Sequence, residues 1–121
     1  MLKRLFRLTS DKDFQTVYRR GRYQATALFS VNVLPTRFRQ TKIGIVVNKK
    51  VSKLAVARNN VKRQVREIAR EQLSHMKPGQ NIVITVRQPA LKADYQTMQK
   101  DILGSFKRLG VLDGENTAKD N

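Results

Sequence analysis

IGIVVNKKVSKLAVARNNVKRQVREIAR, residues 43–70, changes its periodicity partway along. Its opening, IGIVVNK, is rich in β-branched residues and suits a pleated, half-buried surface. From about Arg58 to Leu73 the pattern is different: Val61, Val65, Ile68 and Gln72 fall in a narrow arc at about 100° per residue, which predicts an amphipathic helix. A strand followed closely by a long helix places the chain among mixed α and β folds. Within that helix, ARNNVKRQVREIAR (Ala57 to Arg70) carries five Arg or Lys in fourteen residues, with Glu67 as its one acid.

Working outward, SDKDF predicts a helix start. Ser10 can cap, Asp13 stands three residues later, and both aspartates lie near the positive end of the helix dipole. The helix should stop at Gly21, with Phe14, Val17 and Tyr18 on one face. ALFSVNVLP then alternates as a strand, Phe29, Val31 and Val33 facing one way and Ser30 and Asn32 the other, closed by Pro35. Across the polar TRFRQTK, this strand is expected to pair with IGIVVNK as an antiparallel hairpin. KPG closes the second helix region, and NIVITVR, nearly continuous in apolar residues, reads as a central strand ended by QPA. A last helix is expected from about Asp94, with Tyr95, Met98, Ile102, Phe106 and Leu109 on its core face. The order helix, strand, strand, helix, strand, helix predicts an α+β fold, a two-layer α/β sandwich.

A chain of 121 residues suits one domain, taken as residues 1–112, followed by a polar tail at 113–121 without large apolar residues that is expected to be disordered. Its 25 Lys and Arg against 9 Asp and Glu give a net charge of +16, the footprint of a polyanion binder. No apolar run approaches the roughly 20 residues that span a bilayer. The opening MLKRLFRL is broken by Lys3, Arg4 and Arg7 and lacks the apolar segment of a secretory signal, so a cytoplasmic location is expected. The absence of cysteine excludes disulfides, thiol nucleophiles and cysteine-type zinc sites.

Arg58, Lys62, Arg66 and Arg70 recur every four residues as one slanting stripe, with Arg63 beside it. A solvated face is the ordinary meaning of such a run. Here, however, interspersed acids are scarce, and Lys49 and Lys50 add charge just before the helix. Guanidinium groups so spaced suit phosphate oxygens. Phe14 and Tyr18 have the spacing of core aromatics, yet the small polar Ser30 and Asn32 could floor a groove where bases stack on nearby rings. Catalytic chemistry lacks its parts. Asp11 and Asp13 serve a helix start, Glu67 is explained by an ion pair with Arg63, and the one histidine, His75, sits near a helix end where a dipole contact is its ordinary role. No Gly-rich phosphate loop is present.

Four segments in order resemble the protein subunit family of bacterial ribonuclease P, which trims the 5′ leader from precursor tRNA. They are DFQTVYRRG as its first helix, IGIVVNKKV as its strand ending in a lysine pair, ARNNVKRQVRE as its Arg-rich signature helix, and VRQPA as the end of its third long strand. The resemblance implies a left-handed βαβ crossover, chemistry carried by the RNA subunit with bound magnesium, and no catalytic residue, metal or cofactor in the protein. It further implies contact with the RNA subunit through Lys49, Lys50, Arg58, Asn59, Asn60, Lys62, Arg63 and Arg66, and with the leader through Phe14, Tyr18, Ser30 and Asn32. The partners implied are the catalytic RNA and precursor tRNA, with no membrane and no protein partner. Asn60 stands where the family signature usually has Arg, and Asn32 where an aromatic is common. The alternative from another class is a ribosomal or RNA-chaperone protein that binds structured RNA without a part in cleavage.

Overall fold

A computed structural model describes residues 6–112; the basic start and the polar tail at 113–121 lie outside the described residues. Seven main elements follow in order: α1 (Asp11–Arg20), β1 (Arg22–Ala25), β2 (Phe29–Pro35), β3 (Lys42–Val46), α2 (Ala55–Gln72), β4 (Gln80–Val86) and α3 (Tyr95–Leu109). The strands form one sheet in the order β1-β2-β4-β3.

The expected hairpin between β2 and β3 does not form. β2 pairs antiparallel with β1 and with β4, and β3 joins the far side of β4 in parallel, Ile43 opposite Ile82 and Ile45 opposite Ile84. The reason lies in α2. A parallel neighbour requires a crossover of a dozen or more residues, and the 18-residue α2 supplies it, giving a β3–α2–β4 unit. β1 is an additional strand. RYQA is short, polar and mostly exposed, so it carries no apolar signal, and its hydrogen bonds to β2 define it. NIVITVR is central as expected, flanked on both sides and buried on both faces.

One sheet face, carrying Phe29, Val31, Val33, Ile43, Ile45, Ile82, Ile84 and Val86, packs against Val61, Val65, Ile68 and Ala69 of α2 and Met98, Ile102, Phe106 and Leu109 of α3. Full burial of each such side chain contributes about 1.5–3 kcal/mol. On the opposite face a smaller cluster of Leu8, Val17 and Val83, with Phe14, Leu34 and Val46 beside it, seats α1. That helix covers only part of the face, and Tyr23 of β1 stands in the open part.

Caps fix the helix ends. Ser10 Oγ accepts from Asp13 N at 3.4 Å, and Asp94 accepts from Thr97 N at 2.8 Å. Hydrogen bonding from the Thr97 side chain, and then from its backbone, holds the Asp94 carboxyl below its ordinary range. Gly110, at φ 71°, closes α3 in the left-handed region where a side chain is strained. α2 stops at Gln72, before KPG, and a 3-10 turn over Leu73–His75 leads out of it.

Candidate nucleic-acid interface

Because Val61, Val65, Ile68 and Ala69 face the core, the line Arg58, Lys62, Arg66 runs along the margin of the buried stripe and is half-buried, while Arg63 and Arg70 point outward. Arg58 Nη1 donates to Ser52 O at 2.8 Å, which ties the helix start to the loop carrying Lys49 and Lys50. Arg70 is removed from the stripe's free charge: its Nε donates to Glu67 Oε1 at 2.9 Å and its Nη2 contacts the same oxygen. The carboxylate of Glu67 was expected to pair with Arg63; the structure pairs it with Arg70, three residues on, where both side chains lean over the same turn. That hydrogen bond holds the Glu67 carboxyl below its ordinary range.

Lys62 and Arg66 belong to two clefts at once. One, about 440 Å³, lies on the outer surface of α2 and also involves Asn59, Arg63 and Glu67. The other, about 300 Å³, runs over the β3 edge and is bounded by Arg7, Phe14 and Gly44. A continuous cationic surface therefore passes from α2 around the sheet edge to α1. Partial burial lowers the Lys62 ammonium from its ordinary pKa, and Arg66 and Arg7 nearby lower it further. Burial and Arg7 likewise lower Arg66. Neither has a carboxylate partner among the described residues. Desolvated like charges crowded in this way are stabilised when an anion enters.

The leader residues predicted from the sequence are divided by the fold. Phe14 is half-buried, its ring against Gly44 on β3, and Tyr18 on the same face of α1 is 43% exposed. Asn32 lies on the same sheet face but is only 7% exposed, in the cross-strand row Tyr23, Asn32, Val83, Gly44. Ser30 lies in the next row with Thr85, beyond the Val83 position that packs with α1, and floors a cleft of about 520 Å³. Lys50, grouped by sequence with the α2 cations, borders this sheet-face cleft, and Lys49 is exposed beside it. Asn60 is exposed on α2, two turns before Glu67 and on the same flank. Tyr23, Thr85 and Arg87 also border the sheet-face cleft and escaped sequence reasoning.

The chain is similar to known proteins along nearly its whole length. Residues 2–110 match the family model described as Ribonuclease P. The ribonuclease P protein component of a Pseudanabaena species is 44% identical over 115 residues, covering 94% of this chain and 99% of the relative. That of Streptococcus agalactiae is 31% identical, covering 92% and 100%. Among solved structures, the RNase P protein of Staphylococcus aureus superposes with a TM-score of 0.82 at 29% identity, covering 89% of this chain and 98% of that one. The Thermotoga maritima protein gives 0.76 at 29% identity, with 84% and 96% covered. Similarity along nearly the whole length favours this reading over a ribosomal or RNA-chaperone protein, and the chain belongs to the ribonuclease P protein family.

Proposed function

We propose that this chain docks the cationic flank of α2 on the backbone of the catalytic RNA of ribonuclease P and holds the 5′ leader of precursor tRNA along the sheet face beside α1. One observation carries the reading: Lys62 and Arg66, half-buried and without carboxylate partners among the described residues, border both clefts. An RNA backbone supplies the missing counter-charge through contacts that position the protein without reading sequence. Arg58, Asn59, Asn60, Lys62, Arg63 and Arg66 then face the RNA subunit, with Lys49 and Lys50 at the junction of the two surfaces. Phe14 and Tyr18 offer rings to leader bases, and Ser30 and Asn32 offer polar groups.

Bond cleavage is assigned to the RNA subunit, whose phosphates are hard oxygen ligands for magnesium. Among the described residues, no three His, Cys, Asp or Glu side chains gather as a metal-binding group. The protein's contribution is affinity for a substrate that still carries its leader. Among the described residues, no helix is long and apolar enough to cross a membrane, and the proposed location is the cytoplasm, where precursor tRNA is made.

The test is reconstitution. RNA-free protein incubated with precursor tRNA and magnesium should leave the leader intact, and adding the RNA subunit should produce specific 5′ cleavage. Cleavage that survives complete removal of RNA would overturn the assignment.

A further inference from the structure

The end of the sheet away from the 520 Å³ cleft carries an exposed aromatic of its own. Strand register sets the separation: Phe29 and Val86 pair at the cleft end, Pro35 and Gln80 at the other. The loop that leaves Pro35 for β3 places Phe38 at that other end, 76% exposed. A single exposed apolar side chain is ordinary. The build of this loop is not. Thr36 N donates to Gly79 O at 2.7 Å, Gly79 N donates to Arg39 O at 2.9 Å, and Thr36 Oγ1 donates to Phe38 O at 3.3 Å. Gly79, at φ 75°, approaches so closely that an ideal Cβ on it would stand 2.6 Å from Phe38 O. The backbone on both sides of Phe38 is pinned to the turn before β4, and the ring is held out in solvent. An apolar cleft of about 360 Å³, bordered by Phe6, Leu73, Met76 and the adjacent Arg39, offers the ring a place that it does not take.

Charge frames the ring. Arg37 and Arg39 precede and follow it, both exposed, and neither side chain has a hydrogen bond or an ion pair among the described residues. Arg20 and Arg22 are exposed at the same end of the sheet, Arg22 standing opposite Val33 two residues before Pro35. A ring held out between two free guanidinium groups matches an unpaired nucleotide in a polyanion, with the base on the ring and phosphates on the forks. Bases inside a duplex stack on one another and offer no face to the ring, so the match is to a bulge, loop or junction. Leu73, just past the end of α2, shares the 360 Å³ cleft with Arg39. An RNA lying along the Lys62 and Arg66 flank and continuing past the end of α2 therefore reaches the tip.

We propose that Arg37, Phe38 and Arg39 form a second docking point for the RNA subunit, an unpaired base stacking on the Phe38 ring while the two guanidinium groups hold its flanking phosphates. This docking point rests on the α2 reading and extends it. The helix supplies contact along a backbone, and the tip fixes how far along that RNA the helix sits.

Direct binding of the full chain to the RNA subunit, without substrate, tests the proposal. Phe38→Ala should weaken that binding several-fold to about a hundredfold, the range for losing one base–aromatic stack. The melting temperature of the free protein should not move, because the ring is 76% exposed. Phe38→Tyr, which keeps the ring, should bind as the parent does. Arg37→Gln combined with Arg39→Gln should make the slope of log affinity against log salt shallower by about 0.7 for each single-strand phosphate released. Chemical probing of the RNA subunit should find an unpaired base that the parent protects and Phe38→Ala exposes, with the rest of the footprint intact. Unchanged affinity and footprint in Phe38→Ala overturn the docking point. So does a loss seen only with precursor tRNA in the holoenzyme, which would put the tip on the substrate instead. Lys62→Gln separates the two readings: if it weakens RNA-subunit binding and Phe38→Ala does not, α2 docks without the tip. If neither variant weakens binding, the α2 reading falls too.

Discussion

The Phe14 ring occupies the space that a side chain on Gly44 would need: an ideal Cβ at Gly44 would stand 2.4 Å from Phe14 Cζ and 2.6 Å from Cε1. Gly44 has no positive φ, so its role is close approach and not a turn. Only a bare backbone on β3 lets the α1 aromatic lie this low, beside Leu8 and between the cationic edge and the sheet.

Gly44→Ala should therefore lift Phe14 from its seat, destabilise the fold by about 1–3 kcal/mol as overpacking does, and reduce the preference for precursor over mature tRNA. Phe14→Leu frees space at the same point. The double variant should recover part of the stability that Gly44→Ala removes, a coupling that urea melts of the four proteins in the cycle measure directly. Additive effects would show that Phe14 accommodates the methyl group by rotating away.

The sequence makes the helices and the central strand readable because their signals are local. Ser10 is a cap by type and position, Asp94 marks the start of the last helix, Gly21 is a stop, and the apolar arc of α2 survives among its charges. Strand partnership is a different kind of information. Alternation in β2 and branching in β3 say which faces are buried, but Ile43 opposite Ile82 is decided by where α2 delivers the chain, far along the sequence. The same limit applies to the site. The cation stripe could be counted from spacing, whereas the choice of Arg70 over Arg63 by Glu67, the nearness of Lys50 to Ser30, and the exposure of Tyr23 depend on packing that no local pattern encodes.

Lys62→Gln should separate binding from stability. Burial and the neighbouring Arg66 and Arg7 charges lower the Lys62 pKa, so the folded protein is penalised for keeping it charged at neutral pH. The penalty is present below the lowered folded value and fades as pH rises through it toward the ordinary lysine range. Removing the charge should leave the melting temperature of the free protein unchanged or slightly higher near pH 7, with the difference narrowing at alkaline pH. Affinity for the RNA subunit should fall, with the slope of log affinity against log salt shallower by about 0.7–0.9 for each phosphate that is no longer neutralised. A lower melting temperature with unaltered RNA binding would make Lys62 a structural residue.

Tyr95 offers a pH-dependent lock between helices. Its phenol donates to Glu71 Oε1 at 2.7 Å, joining α3 to α2, and burial together with that hydrogen bond pushes its pKa up to about 12. A phenol raised above its unfolded value of about 10 stabilises the fold fully below pH 10 and loses that contribution as pH climbs toward 12. Tyr95→Phe should lower stability by about 0.5–1.5 kcal/mol at pH 8, the net worth of one hydrogen bond, and the gap to the parent should close between pH 10 and 12. Ultraviolet titration of tyrosinate should lose its latest component in the same variant. A stability gap independent of pH would assign the effect to packing.

Asn60 tests how far the bound RNA wraps around α2. It lies about 100° further round the helix than Asn59, which borders the outer cleft, and it stands three residues before Arg63, which borders the same cleft. Gln64 is exposed too and lies about 40° further still from the Lys62 and Arg66 line. If the RNA backbone reaches the Arg63 side, Asn60→Arg adds one phosphate contact. Binding to the RNA subunit should then tighten, and the salt slope should steepen by about 0.7–0.9. Gln64→Arg adds the same charge to the helix but faces away, and should leave the slope where it is. Neither change should alter the preference for precursor over mature tRNA, because both positions are on α2 and the leader path is on the opposite face of the sheet. Salt titrations of the three proteins with one RNA decide the matter. Coincident lines for Asn60→Arg and the parent would confine the RNA to the Lys62 and Arg66 side of the helix. Equal steepening by both variants would instead show a diffuse attraction to net charge, without a defined docking face on α2.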